Sequence, residues 1–95
     1  MPSIGVLTLE LRLEDSHSLK DKRHVVKGLK DRLRHKFNVA VAEIGYLEAW
    51  QRALVAAVTV SNEHSHAEQM LEAVEREAAA VLGGMLVEAS VEWLE

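Results

Sequence analysis

The 95 residues contain no cysteine, which excludes disulfides, thiolate nucleophiles and cysteine-ligated zinc or iron–sulfur centres. Proline occurs once, at Pro2, and there is no internal repeat or low-complexity tract. The chain therefore predicts one ordered domain over residues 1–95 and no tether. No apolar run approaches the roughly 18 residues that a membrane helix needs, and the N-terminus lacks a signal-peptide pattern. The expected location is the cytoplasm. Aromatic residues make up only 4% of the chain, so little is available for stacking or for an aromatic cage. A net charge of −4 disfavours indiscriminate binding to nucleic acid.

Positive charge is also scarce outside one stretch. Ser18 to Phe37 (SLKDKRHVVKGLKDRLRHKF) holds eight of the eleven Lys and Arg residues, opposed there only by Asp21 and Asp31. The segment carries +6 and the remainder of the chain −10. Any interaction with an anionic partner has to come from here.

Periodicity supplies the architecture. Ile4 to Leu13 alternates, with Leu7, Leu9, Leu11 and Leu13 on one face, as a half-buried strand requires. Ser18 and Asp21 form a capping box for a helix whose apolar row is Leu19, Val26, Leu29, Leu33 and Phe37. Gly28 inside that helix costs about 1 kcal/mol in propensity and points to close packing. Asn38 ends the helix, and Val39 to Tyr46 follows as a strand with Val39, Val41 and Glu43 on one face. Gly45 to Trp50 makes a hairpin loop to the strand Ala53 to Val60, which is apolar on both faces and so expected to be central. Ser61 and Asn62 are expected to cap a second helix, Glu63 to Leu82, stopped by Gly83 and Gly84. Leu86 to Leu94 closes the chain, with Val87, Ala89, Val91 and Trp93 on one face.

The order β-α-β-β-α-β predicts an α+β, ferredoxin-like sandwich, with both helices on one face of a four-stranded antiparallel sheet. The other face is left uncovered and partly apolar, which predicts a homodimer or another partner there.

The run SHSLK-x-KR-x-VVK within Asp15 to Glu43, followed by FNV-x-VAE and by WQRALVAAVTVSN from Trp50 to Asn62, resembles the YlxP-like family of small bacterial proteins. The resemblance implies a ferredoxin-like fold and no established activity. Members are commonly encoded among translation genes, beside initiation factor 2 and ribosome-binding factor A, which suggests a role near the ribosome. It supplies no functional residues.

Lys20, Arg23, Lys27, Lys30 and Arg34 step by three and four residues, forming one stripe about 100° around the helix from the apolar row. Such a stripe suits a phosphate backbone, whereas a charged helix face is more commonly just solvated. Arg32 and Lys36 fall on the opposite flank and lie outside that footprint. An RNA-recognition motif of this topology stacks bases on sheet aromatics. The strand ALVAAVTV has none, so structured RNA read through its backbone fits better.

Asp15, Ser16, His17 and Ser18 have the residue types of a hydrolase triad, but four adjacent positions do not build its geometry, and helix capping accounts for the serines. The helix start with Lys20 and Arg23 is a better phosphate site. His64 and His66 point nearly opposite ways on a helix and do not share a metal, although His64 with Glu63 and Glu68 makes a weak candidate. His17, His24 and His35 add positive charge below about pH 6.5. Tyr46, Leu47 and Trp50 crowd the hairpin loop as a candidate partner contact, and Glu43 and Arg52 are placed to pair across it. No paired-carboxylate cleft, phosphate loop, metal set or cofactor motif is readable.

The sequence thus predicts a non-enzymatic, homodimeric accessory protein contacting RNA or the ribosome through the basic helix. Two alternatives remain open. One is an interaction module binding an acidic protein, and the other a regulatory domain with a small molecule at the dimer interface.

Overall fold

Alternating Leu7, Leu9 and Leu11 and the doubly apolar run 53–58 decide which strands lie at the centre. In the computed structural model, which describes residues 1–95, the elements are β1 (Ser3–Arg12), α1 (Leu19–Lys36), β2 (Ala40–Gly45), β3 (Arg52–Ser61), α2 (His64–Leu82), a 3-10 turn (Gly83–Met85) and β4 (Leu86–Trp93). The sheet is antiparallel in the order β2-β3-β1-β4, the ferredoxin-like arrangement expected from the sequence. β1 and β3 are central, paired from Ser3 opposite Ser61 to Arg12 opposite Arg52.

One core fills the space between sheet and helices. Leu7, Leu9, Leu11, Ala53, Val55 and Ala57 face it from the central strands, Val26, Leu29 and Leu33 from α1, and Leu71, Val74, Ala78 and Leu82 from α2. Each fully buried leucine removes enough apolar surface to contribute about 2 kcal/mol. Trp93 lies over Gly5, where an added Cβ would come within 2.6 Å of the indole and 2.7 Å of Leu71. Here glycine is demanded by a close approach rather than by a turn.

The caps are partly as expected. Ser18 Oγ accepts from the Asp21 N–H at 3.0 Å, while Asp21 Oδ2 accepts from the His17 N–H at 3.0 Å, one residue further out than in the usual reciprocal box. At α2 the expected Ser61–Asn62 cap does not form. Glu63 occupies the cap position without a side-chain bond, and Ser61 Oγ instead accepts from the Glu63 N–H at 3.1 Å. Gly83 ends α2 at φ +56°, a backbone region that glycine adopts freely.

Two further expectations are corrected. Gly28 is exposed, and a Cβ there would meet nothing within 4 Å, so it marks no close packing. Val87 does not join the inward row of β4. The β1–β4 register shifts between Glu10 and Leu11, so Leu86 takes the place opposite Leu11 and Val87 becomes the extra, exposed residue of a bulge. A second shift, between Glu43 and Gly45, makes Ile44 the extra residue of β2.

No helix covers the opposite face of the sheet. Across it run the rows Ala40–Val58–Val6–Glu92 and Ala42–Ala56–Thr8–Ser90, with Val60 beside Ile4 at one end and Arg52 beside Arg12 at the other. The apolar positions gather on β1, β2 and β3, while β4 contributes Glu88, Ser90 and Glu92. No aromatic residue of the strands points to this face, because Trp93 turns inward; the Tyr46 ring reaches only its Arg52 end. No helix is long and apolar enough to cross a membrane.

Candidate nucleic-acid interface

Eight cations on one helix repel one another, and the fold disposes of them in three ways. Lys22 goes inward. Its side chain is 1% exposed, and its ammonium donates to the carbonyls of Tyr46 at 2.8 Å, Leu47 at 3.2 Å and Arg52 at 3.3 Å. An ammonium has three protons, so the Glu43 carboxylate, with Oε2 at 3.0 Å, is its charge partner and not a fourth hydrogen-bond acceptor. The ion pair replaces the Glu43–Arg52 pairing expected across the hairpin. Arg52 instead donates to Glu10 at 3.1 Å and to the Tyr46 hydroxyl at 2.9 Å, with its guanidinium 4.0 Å from the Tyr46 ring centre.

Arg32 and Lys36 turn toward α2. Both donate to Glu77, at 2.8 and 2.7 Å, and fasten the two helices together. The hydrogen bond from Lys36 is the main cause holding the Glu77 carboxyl below its ordinary 4.5; Arg32 adds to it, and partial desolvation opposes both. The flank that the helical spacing set apart from the stripe is therefore structural.

The third group is the stripe itself, on the side of α1 that borders β2. Arg23, Lys27, Lys30 and Arg34, with Val26, Asp31 and Glu43, line a shallow groove of about 330 Å³. Lys20 is exposed one turn nearer the helix start but does not line the groove. Asp31 lies within the stripe, accepting from Lys27 at 2.7 Å and Arg34 at 3.3 Å, and the Lys27 hydrogen bond chiefly lowers its pKa. Lys20, Arg23 and Lys30 make no ion pair. Of the two carboxylates on the groove, Glu43 is neutralised by Lys22, so Asp31 alone stands against the five cations and the flank is net positive.

The other sequence candidates disperse. Ser16 Oγ donates to the Ser18 carbonyl at 3.2 Å and Ser18 Oγ caps α1, so both serines serve the backbone. The His64 ring sits 4.2 Å from that of Trp93, tilted by 48°, and no group of three or more His, Asp or Glu side chains is placed to hold a metal. Tyr46, Leu47 and Trp50 remain on the hairpin loop; Tyr46 is braced by Arg52, and Leu47 and Trp50 are 57% and 54% exposed.

Residues 4–91 match the family model described as "Protein of unknown function (DUF503)". The chain belongs to this family. It is 39% identical over 71 residues to "Uncharacterized protein YlxP" of Bacillus subtilis (strain 168), covering 75% of this chain and 77% of that protein. Among solved structures it is similar to the de novo designed protein Foldit4, with a TM-score of 0.61 at 12% identity, covering 100% of this chain and 98% of that one. It is also similar to a dimeric ferredoxin-like protein of unknown function from Thermobifida fusca YX, with a TM-score of 0.54 at 16% identity, covering 98% and 90%. At such identities the likeness is one of fold. The family carries no activity over to this chain.

The sequence singled out the stripe but missed the role of Lys22. The signal was present. Lys22 falls in the gap of the apolar row between Leu19 and Val26, and Glu43 follows Val39 and Val41 on the inward face of β2. Two opposite charges, each standing where an apolar residue is due, mark a buried pair.

Proposed function

We propose that this is a cytoplasmic, non-enzymatic accessory protein that contacts structured RNA, on its own or in a ribosomal particle, through the α1 flank. The observation that carries the reading is the groove beside β2, where four cations line one wall and α1 contributes a single opposing carboxylate, Asp31. Cations spaced along a rod match phosphates along a backbone, and each contact releases counterions. The absence of aromatic residues from the strand positions of the open sheet face supports backbone reading over base stacking across its middle.

Ribosome-gradient sedimentation with and without RNase tests the reading, together with mobility shifts of ribosomal RNA fragments across a salt series. The triple variant Lys20→Glu, Arg23→Glu, Lys30→Glu removes the three unpaired cations. It should weaken binding and lower the salt slope by about one for each lost contact. RNA binding that survives this variant unchanged would rule the flank out.

A second reading has its own support. β2 is an edge strand beside the same groove, a place where an extended acidic segment of a protein can add to the sheet. Capture that resists RNase but yields to salt would favour it. In either case we propose that the open sheet face joins two copies of the chain, an arrangement supported by its apolar rows and by the dimeric state given for the similar Thermobifida fusca protein.

A further inference from the structure

At the end of the sheet remote from Ile4 and Val60, Arg12 and Arg52 stand directly opposite each other on β1 and β3. Like charges in directly opposed positions, with Cβ atoms about 5 Å apart, destabilise a sheet. Arg52 is compensated by Glu10 and held by Tyr46, whereas Arg12 is exposed and makes no ion pair. The two guanidiniums open onto a wide cleft of about 890 Å³ lined also by His17, Trp50, Glu14 and Glu48.

The walls of this cleft are held in place. Gln51 Nε2 donates to the carbonyls of Glu14 at 3.2 Å and Ser16 at 3.1 Å, and the Leu13 N–H donates to the Gln51 carbonyl at 2.9 Å. Lys22 grips the same loop from behind through the Tyr46, Leu47 and Arg52 carbonyls. Trp50 is therefore an exposed indole on a braced loop, which is a stacking surface ready before a ligand arrives.

Charge narrows the ligand. Arg52 is already paired with Glu10, and Glu14 and Glu48 stand on the rim against Arg12, so a bare anion finds no net positive field. A ligand that joins an anionic group to a flat ring and to hydrogen-bond donors meets all the lining groups at once. We propose that the cleft binds a nucleotide unit, free or at the end of an RNA chain. Its phosphate takes Arg12, beside the Glu10-paired Arg52, its base stacks on Trp50, and its hydroxyl or amino donors reach Glu14 and Glu48. A single arginine guanidinium holds phosphate in a two-pronged fork, and stacking on an aromatic side chain accepts any base. The cleft shares no residue with the α1 flank, so the proposal stands or falls apart from the function proposed above.

The test is calorimetric titration of the full chain with nucleoside monophosphates, with the matching nucleosides, with inorganic phosphate, and with short RNA bearing or lacking a 5′-phosphate. Saturable binding of the monophosphates is expected, weakened more than about tenfold when the phosphate is removed. Arg12→Gln and Trp50→Ala should each weaken it by a similar factor, and both replace exposed side chains. The triple variant of the α1 flank should leave it unchanged. Binding of the phosphorylated RNA but not of free monophosphates assigns the site to chain ends, and the reverse assigns it to free nucleotide. No saturable binding of either class up to about 10 mM overturns the proposal. So does inorganic phosphate binding as tightly as nucleotide, or affinity indifferent to Arg12→Gln.

Discussion

Lys22 does more structural work than any other polar side chain in the fold. It joins the second turn of α1 to the far side of the hairpin, 24 to 30 residues on in sequence. A cation near a helix N-terminus is unfavourably placed with respect to the helix dipole, so its partners in the loop and Glu43 account for it. It also steadies Tyr46, the one non-glycine residue at positive φ (57°), a conformation that costs about 1 kcal/mol. Lys22→Met keeps the packing of the aliphatic stem but strands three carbonyls and the Glu43 carboxylate. Breaking such a pair should cost about 3 kcal/mol, read as a lower denaturant midpoint, and combining it with Glu43→Gln should restore part of the loss. A charge count cannot reveal this. Lys22 adds to the +6 of its segment on paper and contributes nothing to the surface field, because burial is decided by the facing strand and not by the helix that carries the residue.

At the scale of elements, period-two and period-3.6 patterns made nearly all of the fold legible, since Leu7, Leu9 and Leu11 or Val26, Leu29 and Leu33 have only one sensible place. What escaped was what depends on register. The bulges at Ile44 and Val87 shift pairing by one residue, and no local pattern in VAEIG or MLVEAS announces them. The stripe itself was readable because helical spacing fixes its azimuth, but its division of labour was not, as Glu77 lies 41 and 45 residues from Lys36 and Arg32. Gly28 faces solvent with room for a methyl group, so Gly28→Ala should raise stability by about 1 kcal/mol, seen as a higher thermal midpoint. The Glu77 clamp predicts a pH effect. A folded-state pKa below the ordinary 4.5 means that the contribution is complete above that value and is lost as pH falls through the lower folded one. Denaturant titrations from pH 6 downward should show a stability decline that Glu77→Gln makes shallower, and salt should blunt the difference.

For the whole molecule, the two faces of the sheet make different demands. The inner face is closed by two helices, and the outer one leaves Val60 64% exposed and Val6, Val58 and Leu54 half-buried. Val58→Glu places a charge in the middle of that face without entering the core. If two copies meet there, light scattering at micromolar concentration should show a dimer for the natural chain and a monomer for the variant, with the helical content of both alike. A natural chain that is strictly monomeric removes the dimer. The cleft at Arg12 and Arg52 sits at the far end of the same strands, away from the Ile4–Val60 end.

The two register shifts involve β2 and β4, and these are the only strands with a free side. A flat, regular border strand is a template on which further chains can stack without limit, and a kink from one extra residue spoils that template. Each kink lies at one end of its strand, beside the hairpin loop in β2 and beside the 3-10 turn in β4, so a short segment can still pair along Ala40–Glu43 while a long added strand cannot follow the border. Ile44 and Val87, which look like lapses in an otherwise orderly pattern, shorten the regular border on either side of the sheet.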